Sequence, residues 1–94
     1  MEFQINILWS SVEIGFEIEN KKIPLSKIYF WPRYDGWKVL KYELNSKRWI
    51  SQKNSVLILN EVTQIIQYWI EKRAKLDYDD LLSNFPNIKI LGTY

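Results

Sequence analysis

The sequence contains no cysteine and no histidine, and each absence closes off a class of chemistry. Without cysteine, disulfides, thiolate nucleophiles and cysteine-ligated metals are excluded together. Without histidine, the chain lacks the commonest general base and the commonest zinc ligand. Glycine is scarce, and Gly15, Gly36 and Gly92 are too far apart to form a phosphate-cradling loop. No apolar run is long enough to span a membrane and no signal or transit pattern leads the chain, so the expectation is that it works in the compartment of synthesis or that its targeting segment lies outside this sequence. Enzyme chemistry would have to rest on carboxylates, lysine or tyrosine alone. Glu13, Glu17 and Glu19 have no nucleophile or metal partner beside them, and Asp77, Asp79 and Asp80 lack the glycine and closing glutamate of a calcium loop. The expectation is a non-enzyme with no catalytic residue, no cofactor and no metal ligand.

What the chain does have is aromatic surface. Its 94 residues suit one small domain, yet 16% are aromatic, more than so small a core easily hides. Some rings should therefore reach the surface and suit a partner. The net charge of +2 decides little, but twelve of the thirteen basic residues lie between Lys21 and Lys75. Residue usage favours Ile, Lys, Asn, Tyr and Phe and includes a single alanine, Ala74. Those favoured residues have AT-rich codons, which points to a reduced organellar genome.

Residues 2–9 alternate strictly, with Phe3, Ile5, Ile7 and Trp9 on one face. Residues 12–19 do the same through Val12, Ile14, Phe16 and Ile18. Period-two alternation reads as two half-buried strands of an antiparallel hairpin. A two-residue loop would pair Trp9 with Val12 and a four-residue loop would pair Trp9 with Ile14. Both keep the large apolar residues on one face, and the missing Asn-Gly favours the longer loop. The aromatic run at 27–31 can add a short third strand, ended by Pro32.

Asp35 is the expected N-cap of a helix carrying Trp37, Leu40, Lys41 and Leu44 and ending at Asn45-Ser46. A longer helix is expected from Ser51 or Asn54 to about Arg73, with its stripe at Ile58/Leu59, Val62, Ile65/Ile66 and Trp69/Ile70. Residues 77–85 can form a short helix around Leu81, Leu82 and Phe85, with Asp77, Asp79 and Asp80 capping and solvating it. Residues 87–94 read as an extended tail. The fold class is α+β: an antiparallel hairpin, with a short third strand possible in principle, packed against two helices, the domain covering residues 1–75 and a C-terminal extension covering 76–94.

Two constellations bear on function. The first, from Tyr29 to Trp37, sets aromatics beside Arg33 and Lys38; it suits base stacking and equally a buried strand-to-helix corner. Phe30, Trp31 and Trp37 fit the corner better, whereas Arg33 and Tyr34 fit a partner as well as they fit the turn. The second is a basic edge of Lys38, Lys41, Lys47, Arg48 and Lys53. A single lysine there is most simply a solvated side chain, but the group fits contact with phosphates. The candidate RNA-binding residues are thus Arg33, Tyr34, Lys38, Lys41, Lys47, Arg48 and Lys53. A competing reading is a protein-interaction module whose exposed aromatics bind a partner protein.

Ordered blocks along the chain resemble a known family. Ile7-Leu8-Trp9 leads into Ile14-Gly15, followed by Pro24-Leu25-Ser26 and Tyr29-Phe30-Trp31-Pro32-Arg33. Asp35 and Trp37, Trp49-Ile50-Ser51, and Leu59-Asn60 with Ile65-Ile66 and Trp69 complete the pattern. Together they resemble the third plastid-specific small-subunit ribosomal protein, a family shared with cyanobacteria, over about residues 3–69. The resemblance implies a structural ribosome component that binds small-subunit ribosomal RNA and neighbouring ribosomal proteins, with no membrane and no small-molecule substrate. It also implies a ribosome-bound place in the plastid stroma, or in the cytoplasm of a cyanobacterium. The 10–13 loop departs from the family's more charged loop, so no RNA role is expected for it.

Overall fold

The computed structural model describes residues 3–93, with the backbone only at Tyr34. Two strands form first in sequence, β1 (Gln4–Trp9) and β2 (Ile14–Asn20). They pair antiparallel with Trp9 opposite Ile14, Ile7 opposite Phe16 and Ile5 opposite Ile18, the register of the longer loop. Ser10 explains that loop. Its Oγ accepts from the Glu13 N–H at 3.0 Å and the Val12 N–H at 3.3 Å, and donates to the Glu13 carbonyl at 2.8 Å. One hydroxyl thus satisfies groups that a tight turn would leave unpaired. Val12, expected on the apolar face, sits in this loop instead and is 72% exposed.

The chain then makes two short strands, β3 (Ile23–Pro24) and β4 (Tyr29–Trp31), both antiparallel to β2. Between them Ser26 Oγ accepts the Ile18 N–H at 3.0 Å, so β2 keeps a partner across the gap. The β2–β3 turn is Lys21-Lys22, and both residues have positive φ, 51° and 70°. That left-handed pair suits a two-residue hairpin turn, where Asn and Gly are the relaxed choices. Lysine there costs roughly 1–2 kcal/mol per residue.

After a single 3-10 turn (Arg33–Asp35) comes α1 (Gly36–Ser46). Asp35 is its N-cap, accepting the Lys38 N–H, and Leu40 and Leu44 are its fully buried residues. Ser51 caps α2 (Gln52–Glu71), whose buried stripe is Ser55, Ile58, Leu59, Val62, Ile65, Ile66 and Tyr68. Ile70, expected on that stripe, is 49% exposed. A shorter helix, α3 (Tyr78–Asn84), is capped by Asp77 and buries Leu81; Leu82 faces out.

The extended segment at the end of the chain is a strand, β5 (Ile88–Thr93). It pairs parallel with β1, Ile5 opposite Ile88 and Ile7 opposite Ile90, with a bulge between Ile7 and Leu8. The sheet order is therefore β3-β2-β1-β5, with β4 also on β2, and the sheet is mixed rather than purely antiparallel. β1 is an interior strand, flanked by β2 and β5. A parallel partner cannot follow directly through a tight turn; here the helices supply the return path.

One sheet face carries Ile5, Ile7, Trp9, Ile14, Phe16 and Ile18, all buried under α1, α2 and α3. The indoles are tied down at both ends of this core. Trp9 Nε1 donates to the Ala74 carbonyl at 2.7 Å, Trp69 Nε1 to Ser10 O at 3.0 Å and Trp37 Nε1 to Leu59 O at 3.3 Å. Trp31 stacks edge-on against Trp69. The opposite face is apolar at one end, where Leu8 and the Phe30 ring flank Gly15, and polar at the other. Gln4 and Glu19 sit opposite each other and hydrogen-bond at 3.1 Å, and Asn6 donates to Glu17 at 3.0 Å. That face carries no covering layer among the described residues, which makes this a two-layer α+β fold.

Candidate nucleic-acid interface

The outward side of α1 is where aromatic and cationic groups meet. With Leu40 and Leu44 turned inward, helical spacing puts Lys38, Lys41, Tyr42 and Asn45 on the solvent side. These four, with Asp35 and Trp37, line an open groove of about 410 Å³. Tyr42 is 79% exposed, and Lys41 Nζ lies 5.6 Å from the centre of the Trp37 ring. The cation thus sits against an aromatic wall with its charge still facing water.

The basic edge continues past the helix. Lys47 is the C-cap of α1, Arg48 lies in the exposed turn and Lys53 in the first turn of α2. From Lys38 to Lys47 is about 14 Å along the helix. Lys47 is partly committed, 3.8 Å from Glu43 Oε1 one helical turn back. Glu43 Oε2 also accepts the Tyr29 hydroxyl, which ties α1 to β4. Lys38, Arg48 and Lys53 make no ion pair among the described residues. Lys53 at the positive end of α2 gains nothing from the helix dipole, so its placement adds to an anion-attracting turn instead.

Arg33 does not belong to that edge. Its Nε is 2.9 Å from Glu13 Oε2 and its guanidinium lies 4.8 Å over the Phe30 ring. It fastens the 3-10 turn to the β1–β2 loop, leaving about half its side chain exposed. The Tyr34 side chain lies outside the described residues. Of the seven sequence candidates, the fold brings Lys38 and Lys41 into one groove and places Lys47, Arg48 and Lys53 in the following turn.

Two exposed aromatics beside this edge were not among those candidates. Tyr42 falls between Leu40 and Leu44 on the wrong side for the core, and that off-stripe position is a usable signal. Trp49 is 61% exposed, and nothing in its local pattern separates it from the buried Ile50 beside it.

No group of His, Cys, Asp or Glu among the described residues is arranged to hold a metal, and no helix is long and apolar enough to cross a membrane. Among the described residues two titratable groups are clearly shifted. Burial pushes the Glu61 carboxyl upward, partly countered by a hydrogen bond from Asn87. Burial, and then the Asp80 carboxylate that its hydroxyl meets at 2.6 Å, pushes Tyr68 up to about 12. Neither residue lines the α1 groove.

Comparison with known proteins gives a consistent picture. Residues 25–72 match the family model described as plastid and cyanobacterial ribosomal protein (PSRP-3/Ycf65). The chain is 38% identical over 96 residues to the small ribosomal subunit protein cS23 of Gracilaria tenuistipitata var. liui, covering 98% of this chain and 97% of that one. It is 33% identical to the probable small ribosomal subunit protein cS23 of Synechococcus sp. (strain JA-3-3Ab), covering 97% and 96%. The cS23 protein of Hordeum vulgare is 40% identical over 70 residues, which cover 69% of this chain and 39% of that longer protein.

Proposed function

Because this chain belongs to the plastid and cyanobacterial ribosomal protein family PSRP-3/Ycf65, we propose that it is a structural, non-enzymatic component of the small ribosomal subunit. It docks on ribosomal RNA through the outward side of α1 and the 47–53 turn, and neighbouring ribosomal proteins complete its surroundings. Its place is on the ribosome, in the plastid stroma or, in a cyanobacterial source, in the cytoplasm; the family described as plastid and cyanobacterial, with near full-length relatives in Gracilaria and Synechococcus, supports both.

The observation that carries this reading is the α1 groove. Lys38 and Lys41 project beside an exposed Tyr42 and a half-buried Trp37, with Arg48 and Lys53 continuing the charge. Lysine and arginine neutralise phosphates without demanding a sequence, and an exposed ring offers a face to an unstacked base. The strand-to-helix corner serves as the frame: Tyr29 and Glu43 lock α1 to the sheet, so the groove is presented on a rigid element.

Filter binding to protein-free small-subunit rRNA tests this. Each phosphate left without its cation should lower the log–log salt slope by about 0.7–0.9. Lys38→Gln/Lys41→Gln/Arg48→Gln is expected to weaken binding and flatten the slope by about 2–3, with an unchanged far-ultraviolet spectrum. Wild-type affinity and slope in that variant would rule this face out.

A further inference from the structure

A second cationic surface lies at the β2–β3 turn, next to the turn that follows α1. Lys21 and Lys22 form the β2–β3 turn there, and Lys89 of β5 reaches the same place. With Phe3, Gln4, Glu19 and Asn87 they line an open cleft of about 590 Å³. None of the three lysines makes an ion pair among the described residues, and the one acid in the cleft wall, Glu19, already accepts from Gln4. Lys21 also borders a second, smaller hollow of about 100 Å³ with Asn20, Ile23, Leu25 and Trp49. Trp49 and Ile23 are each more than 60% exposed, and Trp49 is the only tryptophan among the described residues with a largely solvent-facing ring.

An apolar hollow beside an exposed indole, with a rim of cations, matches the parts of an unstacked nucleotide: the base offers a flat face and phosphates flank it.

We propose that this end of the sheet is a second RNA contact that takes one unpaired nucleotide. The base stacks on Trp49 and the flanking phosphates meet Lys21, Lys22 and Lys89. The proposal rests on the ribosomal RNA-binding reading above and extends it from the 47–53 turn to the lysines of the β2–β3 turn and β5. It also gives the strained turn a purpose: two long cations are kept where Asn and Gly would fold more easily.

The turn provides a test in which folding and binding move in opposite directions. Lys21→Asn/Lys22→Gly removes both charges and relaxes the left-handed backbone, so its melting temperature should rise. Binding is read by tryptophan quenching on titration with a 12-nucleotide oligo(U), across a range of salt. The double variant should bind about tenfold more weakly, with a salt slope lower by about 1.4 once two phosphates of a single strand go without a cation. Trp49→Leu should remove most of the quench, because the other indoles are buried or half-buried.

Wild-type affinity and slope in Lys21→Asn/Lys22→Gly would overturn the second site. If Lys38→Gln/Lys41→Gln loses binding in the same series, the α1 interface stands and only this proposal falls. Absence of oligo(U) and rRNA binding by the wild-type chain would remove the RNA reading and this site with it. Loss of association with ribonuclease-treated small-subunit proteins, with oligo(U) binding unchanged, would assign the surface to a protein partner and overturn the proposal.

Discussion

Gly36 is the position where the placement of α1 can be tested most sharply. Its φ and ψ, −54° and −31°, are ordinary helical values, so conformation alone would accept any residue. Space does not. A Cβ built there would lie 2.6 Å from the Phe30 carbonyl oxygen, 2.8 Å from its carbon and 2.9 Å from its nitrogen. These are backbone atoms of β4, so no rotamer change relieves the contact and α1 must move off the strand. Against rigid backbone the cost lies at the upper end of overpacking, about 2–3 kcal/mol, and the higher helix propensity of alanine offsets about 1 kcal/mol of it. The net loss is about 1–2 kcal/mol, which in a domain of this size lowers the melting temperature by about 5–15 °C. The other glycines calibrate the result. At Gly15 a Cβ meets the Phe30 ring at 2.6 Å, but a ring can tilt, so Gly15→Ala should cost less. At Gly92 the nearest atom is Leu8 Cδ2 at 3.9 Å, and Gly92→Ala should be within about 0.5 kcal/mol of wild type. Thermal melts followed by circular dichroism should rank Gly36→Ala least stable, then Gly15→Ala, then Gly92→Ala. A Gly36→Ala protein as stable as wild type would refute the close α1–β4 contact that frames the groove.

Three further outcomes concern α2. The folded-state value of Tyr68 is raised from 10.0 to about 12, so its contribution to stability is complete below pH 10 and is lost as pH rises towards 12. Urea midpoints should fall over that window in wild type and fall less in Tyr68→Phe. Glu61 is raised from its ordinary 4.5, so keeping it ionised opposes folding at neutral pH and the opposition vanishes in acid. Glu61→Gln should therefore raise the urea midpoint at pH 7 and leave it unchanged near pH 3. Trp69→Phe removes the donor to Ser10 O and should cost about 1–2 kcal/mol, measured by urea unfolding; a smaller loss would show that this hydrogen bond does not hold the β1–β2 loop to α2.

The hairpin and the two main helices were legible because their signals are local. Alternation over residues 4–9 and 14–18 fixes a buried face, and Asp35 and Ser51 mark helix starts by residue type alone. Val12 kept the alternating pattern and still faces solvent, because the Ser10 hydroxyl, not hydrophobicity, decides where that loop ends. The strand at 88–93 alternates Ile88 and Ile90 with Lys89, yet its partner lies some 80 residues earlier, and nothing local announces a parallel pairing with β1. The site followed the same logic. Charge type was readable, partners were not: Glu13 claims Arg33 from twenty residues away, whereas the Glu43–Lys47 pair was visible at helical spacing. Exposure of Tyr42 could be read from the helix stripe, but exposure of Trp49 depends on how the 47–51 turn meets the β2–β3 hairpin.

The central claim is that this chain is an RNA-anchored component of the small ribosomal subunit. Sedimentation of a tagged copy from organelle or cell lysate tests it most directly, in high magnesium and again after EDTA separates the subunits. The chain should travel with the small subunit under both conditions and leave it after ribonuclease treatment. A chain that stays at the top of the gradient in magnesium and in EDTA alike would contradict the account.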